Sequence, residues 1–413
     1  MVSSHNSSSL IRTLGDIRAL SSRIDWYRLW ITGGAPLIAI IIGALWVPFQ
    51  NRTGIFFFTY ATASGISVTA GLILMENIGY HRLWAHRAYS AGKVLKVILA
   101  IVSTSAGQGS IKTWCRDHRA HHRYTDTDRD PYSAHKGLFY SHYGWVVIKR
   151  KREQTGQVDV QDLANDPIVL WQRKHYIPLF LLTAFIFPTV YCGLMYGDFA
   201  GGFIWASWIR LFMIQQATFC VNSLAHWAGD QPYASRLSPR NSFFVALITW
   251  GEGYHNFHHE FPVDYRNGIR WFHWDPTKWF IWLCEKVNLA SELKRFPENE
   301  IQKGKLQQIQ RQLELRRQEI SWGASIDELP IWGIEKYTQT VNNGRRLLLI
   351  DGVVHDVAKF VDQHPGGKSF LLEHVGKDAT RLFHGSAIHA HSNAAENLLS
   401  TMRLARISQT AKI

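Results

Sequence analysis

The chain is short of charge. Only 19% of its 413 residues are Asp, Glu, Lys or Arg, against 46% hydrophobic residues, a balance that excludes a disordered tail. Its four cysteines, Cys115, Cys192, Cys220 and Cys284, occur singly with no CxxC pair, which argues against a disulfide framework or a zinc ribbon and for a reducing compartment. The first 29 residues are polar and lack the short apolar core of a cleavable signal peptide, so this end is expected to stay in the cytosol. No RNP-type or helix-turn-helix pattern accompanies the formal charge of +13, so no nucleic-acid partner is expected and an anionic membrane surface suits the excess better. No nicotinamide-binding motif is evident either. A mean hydropathy of −0.12 excludes a uniformly apolar transporter, so hydrophobicity must be concentrated in places.

It is concentrated in four stretches, residues 30–49, 55–75, 177–196 and 203–221, each near the ~20 residues that a helix needs to cross hydrocarbon. Short linkers pair them into two hairpins. The long segment between the hairpins holds Lys149, Arg150, Lys151 and Arg152, so the positive-inside rule places it, with both termini, on the cytosolic side of a lipid bilayer. Two shorter runs, 97–107 and 243–250, fall below spanning length and read as half-buried or interfacial helices. Residues 301–325 are charged and Gln-rich, with Leu306, Ile309 and Leu313 at helical spacing, as in an amphipathic linker. From residue 326 to 413, short β-like runs alternate with short helices, the pattern of a small α+β domain. The expected fold is mainly α: a cytosolic segment 1–29, a four-span membrane domain 30–300 with a cytosolic helical cap, the linker and the small domain.

Histidine is the residue in surplus, at 20, and it is clustered: His81 and His86 in HRLWAH, His118, His121 and His122 in HRAHH, and His255, His258 and His259 in HNFHH. On a helix, positions i+3 and i+4 share a face with i, so the second and third clusters are each expected to project three imidazoles toward one locus. His81 and His86 lie five apart, about 140° around a helix of ~3.6 residues per turn, so they are expected to serve two metals. Asn222 and His226 in VNSLAHWAG are again i and i+4. A lone His at a membrane edge is ordinarily a solvated or satisfied polar group. Three such clusters on one side of the bilayer argue for a multinuclear metal site, although imidazole alone leaves zinc, copper, iron and nickel open. Cys115, three residues before His118, is not expected to be a ligand.

HRLWAHRAY, DHRAHHRYTDTDRDPY, NSLAHWAGDQPY and GEGYHNFHHEFPVDYRNG together resemble the membrane acyl-CoA Δ9 desaturases (stearoyl-CoA desaturases) of the fungal type fused to cytochrome b5, over nearly all of residues 25–413. The resemblance implies two irons held by His81, His86, His118, His121, His122, His226, His255, His258 and His259, with Asn222 acting through water. It implies that Trp114 shapes the acyl tunnel and that Arg116 and Asp117 lie near the CoA headgroup. HPGG at 364–367, between HDVAKFVDQ and GKDATRLF, resembles cytochrome b5. A tight Pro-Gly-Gly turn leaves the His364 imidazole free to enter an apolar cleft as an axial ligand of one b-type haem. The second ligand is expected to be His391, in the HSNAA context, with His389 as the alternative; His374 and His384 read as surface or packing residues. Residues 329–413 hold ten Lys or Arg against seven Asp or Glu, a departure from the acidic balance typical of cytochrome b5.

Removing two hydrogens from unactivated methylenes lies beyond acid–base chemistry and requires a redox metal. The activity that the resemblance implies is insertion of a cis double bond at C9–C10 of a saturated fatty acyl-CoA, palmitoyl or stearoyl, using O2. Electrons would come through the fused haem from an NADH–cytochrome b5 reductase, in the endoplasmic reticulum membrane with the active site cytosolic. A front-end desaturase would carry Gln in place of His255 and its haem domain at the N-terminus. A haem carrier or metal transporter would place its polar residues within the spans.

Overall fold

The computed structural model describes residues 21–46, 77–151, 154–385 and 390–408. The expected second span, most of the N-terminal segment, Arg152 and His389 lie outside the described residues. The chain divides into two compact units, residues 1–310 and 311–413.

In the first unit, two described helices are long and apolar enough to cross a membrane: α1 (Trp26–Leu45) and, further along the chain, the helix Tyr176–Tyr196. Between them come α2 (Asn77–Ala85), α3 (Lys93–Thr104) and α4 (Ile111–Tyr124); Tyr176–Tyr196 is then α5, followed by α6 over residues 199–222. Packing of α1 and α5 on α6 relies on small residues. A Cβ on Gly43 would sit 3.2 Å from Ile209 and Trp205 of α6, and one on Gly202 would sit 2.8 Å from Cys192 of α5, so the backbones approach closely. α6 is long but carries Arg210, Gln215 and Gln216 at mid-length. The buried Arg210 guanidinium donates to the carbonyls of Ala206 (2.7 Å) and Ala184 (3.1 Å), tying α6 to α5.

After α6 come α7 (Leu224–Trp227), α8 (Phe243–Thr249), α9 (His255–Glu260), α10 (Pro276–Lys286) and α11 (Glu298–Gln318). The runs read as half-buried are so: α3 buries Leu95, Leu99 and Ala100 while exposing Val94 and Ile98, and α8 buries Val245 and Ala246 while exposing Phe243 and Phe244. The largest core cluster gathers residues of α2, α3, α4 and α10, among them Ile78, Trp84, Leu99, Ile111 and Ile281. It is the platform from which α2 and α4 present their histidines. The expected linker is helical through α11, which extends further N-terminally than residue 301, and its Leu306, Ile309 and Leu313 are exposed.

The second unit contains a four-stranded sheet in the order β1–β4–β3–β2, with β1 Ile331–Trp332, β2 Leu347–Ile350, β3 Val353–Asp356 and β4 Arg403–Ile407. β2 and β3 form a hairpin in register Ile350↔Val353 across Asp351–Gly352, both at positive φ as a tight two-residue turn requires. All four residues of β2 are buried. A helix at Ile334–Asn342 and the short helices α12 (Lys368–His374), α13 (Thr380–Phe383) and α14 (Asn393–Ser400) complete this α+β unit.

Candidate metal centre

α2 is a π-helix, and its wider turn is closed by the amide of His86 donating to the carbonyl of His81, five residues back, at 3.0 Å. An i→i+5 turn brings the two side chains to the same face. His81 and His86 therefore join one group and do not serve two metals, which corrects the expectation from regular helical geometry. The trios divide as well. His118 and His122 of α4 point to one group while His121 points to another, and in α9 His258 joins the first while His255 and His259 join the second. Each i, i+4 pair shares a target, and the remaining member of each trio serves the other.

The result is a five-imidazole group (His81, His86, His118, His122, His258) and a four-imidazole group (His121, His226, His255, His259), each with its ligating nitrogens within 4.8 Å of one another. In the first, Nε2–Nε2 separations are 3.0 Å for His81–His258, 2.8 Å for His86–His118 and 3.0 Å for His258–His122. In the second they are 3.2 Å for His121–His259, 3.1 Å for His255–His226 and 3.1 Å for His259–His255. Such separations are the edges of a coordination polyhedron with metal–nitrogen bonds of ~2.1 Å near right angles. A single Nε2 approached by two others, as His258 is, cannot share a proton with both, so the donor set fits a cation in each group. Burial, reinforced by neighbouring imidazoles, holds the pKa values of His86, His118, His122, His255, His258 and His259 well below the ordinary value, and that of His226 at about 3. These rings are neutral at physiological pH, the form in which imidazole binds metal.

The other ring nitrogens are oriented by partners that the sequence reading did not single out. Glu252 accepts from His81 Nδ1 (3.1 Å), Asp130 from His121 Nδ1 (2.9 Å), and Tyr132 OH lies 3.3 Å from His118 Nδ1. Ser238 Oγ lies 2.7 Å from His226 Nδ1, and its loop is pinned by the Asn256 side chain, bonded to Tyr233, Ala234 and Pro239. The only signal for Glu252, Asp130, Tyr132 and Asn256 was their place inside the quoted strings, Glu252 three before His255 and Asp130 in TDTDRDP, and Ser238 lies outside them. Glu252 is turned inward by its two glycines. Gly251 has φ +107°, and a Cβ on Gly253 would lie 2.0 Å from the backbone nitrogen of Ala246. Burial pushes the Glu252 carboxyl up, but His81 and Arg82 outweigh it and hold the pKa at about 2. Arg82, fully buried, spans Glu252 (2.9 Å) and Asp275 (2.9 Å) and also donates to the Tyr265 carbonyl (2.7 Å).

Asn222, at the end of α6, lines a cavity of about 80 Å³ together with His81, His118, His255, Glu252 and Trp114. The Trp114 indole stacks on His118 at 4.8 Å and donates to Gln108 Oε1 (2.9 Å), whose amide donates to Thr218 (2.8 Å). Asp117 lines the same cavity, receives Arg116 (2.7 Å) and is also held by Arg150 (3.2 Å), a residue read from sequence only as part of a topogenic run.

In the second unit, the His364 and His391 rings face each other with centroids 6.4 Å apart, room for one metal ion with bonds of about 2 Å on either side. His391 Nδ1 is fixed by the Phe383 carbonyl (2.8 Å), and its ring stacks on Phe383 at 4.4 Å. Among the described residues, His364 Nδ1 is buried without a partner. His384 pairs with Asp351 (2.7 Å) and His374 with the Phe370 carbonyl (2.8 Å), away from this pair.

Comparison with known proteins matches a family to each unit. Residues 58–286 match the family model described as fatty acid desaturase, and residues 334–408 match the one described as cytochrome b5-like heme/steroid binding domain. The chain is 47% identical over 382 residues to a probable acyl-CoA desaturase of Schizosaccharomyces pombe, covering 92% of this chain and 77% of that one. It is 43% identical over 388 residues to acyl-CoA desaturase 1 of Saccharomyces cerevisiae (94% and 74% covered) and 41% identical over 221 residues to human stearoyl-CoA desaturase 5 (52% and 67%).

Proposed function

Because the chain belongs to the fatty acid desaturase family and carries a cytochrome b5-like domain behind it, we propose that it is an acyl-CoA Δ9 desaturase, placing a cis double bond in palmitoyl- or stearoyl-CoA with O2 and electrons passed through its own haem domain. The observation that carries this reading is the convergence of nine imidazoles into two adjacent groups beside a Trp-lined cavity. Iron fits both groups, with Asn222 completing the four-imidazole group through water. Bound there, two irons would supply the oxidising chemistry with O2 that unactivated C–H bonds demand.

The chain's own residues do the rest. Trp114, stacked on His118 and braced by Gln108 and Thr218, walls the acyl chain against the metal-binding rings. Arg116, exposed and tethered to Asp117, and Arg150 behind it offer guanidiniums to the CoA phosphates. The low pKa values of the ligand rings keep protons off the metal-binding nitrogens. His364 and His391 are the haem ligands supported by geometry, and His389 lies outside the described residues. Fusion of the electron carrier raises its effective concentration to roughly millimolar, and an NADH–cytochrome b5 reductase is the donor this arrangement calls for. The membrane reading is four spans, namely α1, residues 55–75, α5 and α6, in the endoplasmic reticulum with the histidines cytosolic. α1 and α5 support it through their length and apolarity.

The test is gas-chromatographic location of the double bond in fatty acids from desaturase-deficient cells expressing the chain. Palmitoleate and oleate appearing with the intact chain and absent with His118→Ala is the expected result. Unsaturation at another carbon would overturn the regiochemistry, and none at all would overturn the activity.

A further inference from the structure

The two imidazole groups are not backed equally. In the five-imidazole group, the carboxylate behind His81 is Glu252, and its charge is shared with Arg82, whose guanidinium lies 2.9 Å from it. The other partner on that side is a neutral hydroxyl, Tyr132 behind His118. In the four-imidazole group, Asp130 touches His121 at 2.9 Å and otherwise accepts only the backbone amides of Asp126 (3.0 Å) and Tyr132 (3.1 Å). Its second backing runs from His226 to Ser238 Oγ (2.7 Å) and on from Ser238 Oγ to Asp126 Oδ1 (2.5 Å). Asp126 is fixed by the Ser238 amide as well (2.6 Å), and its nearest basic side chain is the exposed His135 at 3.9 Å. Among the described residues, no lysine or arginine pairs with Asp126 or Asp130.

A carboxylate on the far nitrogen of a ligating imidazole fixes its tautomer and raises its basicity, and a guanidinium on the same carboxylate draws that negative charge away. The four-imidazole group, with fewer nitrogens, thus receives one undiluted carboxylate directly and a second through Ser238, where the other receives one that is shared with Arg82. We propose that Asp130 and the Ser238–Asp126 pair are positioning residues that make the four-imidazole group the tighter of two unequal metal sites. This inference rests on the dimetal reading above.

The test separates the two claims. Purified full-length protein carrying its haem is stripped of non-haem metal, dialysed against Co2+ under increasing chelator, and assayed for cobalt per haem, the haem serving as the measure of chain concentration and size-exclusion chromatography as the check on folding of the first unit. Two cobalt per haem in the unsubstituted chain is required by the dimetal reading, and one or none would overturn that reading. Given two, Asp130→Asn is placed in two backgrounds, His118→Ala with His122→Ala to leave the four-imidazole group, and His226→Ala with His255→Ala to leave the five-imidazole group. Asp130→Asn should lower cobalt affinity about 10- to 100-fold in the first background and by less than about twofold in the second, with Asp130→Glu recovering part of the loss. Ser238→Ala, which removes the hydroxyl that joins His226 to Asp126 while leaving the Ser238 amide on Asp126, is the milder variant should Asp130→Asn fail to fold, and it should weaken the same site alone. Equal weakening in both backgrounds, or none in the first, overturns the inequality.

Discussion

Replacing Arg82 by Met tests whether the buried charge network holds the metal-binding rings in place. The guanidinium is 1% exposed and bonds Glu252, Asp275 and the Tyr265 carbonyl. Burial would lower its pKa, but the two carboxylates raise it overall, so it is charged. Met keeps most of the volume, so the perturbation is electrostatic and leaves two buried carboxylates without the guanidinium that joined them. Glu252 retains donors from Asn267 (2.7 Å) and His81, and Asp275 retains the amides of Asn267 (2.8 Å), Gly268 (3.1 Å) and Lys278 (3.1 Å). The cost of breaking a buried ion pair, about 3–5 kcal/mol, should therefore fall toward its lower end. At roughly 2–4 °C per kcal/mol, the apparent Tm of the first unit should drop by on the order of 10 °C. The assay is thermal unfolding of the detergent-solubilised protein followed by size-exclusion chromatography, with haem absorbance as an internal control for the second unit. Adding Asp275→Asn to Arg82→Met should recover part of the loss, because it removes one of the orphaned charges. A drop within about 1 kcal/mol of the unsubstituted protein, or no recovery in the double variant, would show that the network does not bear this load.

His118→Ala and His121→Ala remove one ligand from different groups, so each should cut product by more than ~100-fold, beyond the loss typical of outer partners, with the haem spectrum intact; retained desaturation in either refutes the ligand assignment. His364→Ala should abolish the b-type haem absorbance and slow turnover, with recovery on addition of free cytochrome b5, whereas an unchanged spectrum would refute the axial role. The depressed imidazole pKa values set a pH dependence. Above the unfolded value of about 6.5 these rings are neutral in both states, and below it the unfolded chain takes up protons that the folded site refuses. The metal-free protein should accordingly lose stability, and the loaded protein lose metal, as pH falls from about 6.5 toward 4; a melting temperature flat across that window would be inconsistent with the buried rings.

What sequence conveyed was residue type and spacing, and what it withheld was backbone detail. The three clusters, Asn222 and His226 were legible because imidazoles at i, i+3 and i+4 are rarely assembled by accident, and HPGG was legible because its turn chemistry is compact. The allocation between the two groups was not. It depends on how α4 and α9 are placed in space, which brings His121 to His226, His255 and His259 and leaves His118 and His122 with His258. Periodicity at ~3.6 residues per turn also misled at His81 and His86, where nothing in HRLWAH announces the π-turn that sets both on one face. That turn has a structural correlate. The same α2 presents Arg82, one residue after His81, into Glu252 and Asp275, and Arg82 accepts at its own carbonyl the amide of Ala88 (2.8 Å). A regular α-helix that kept His81 on the metal side would carry His86 about 140° away, beyond reach of His118. The buried ion network and the widened turn are thus one device: the charges anchor the first half of α2 in the core, and the extra residue per turn returns His86 to the site.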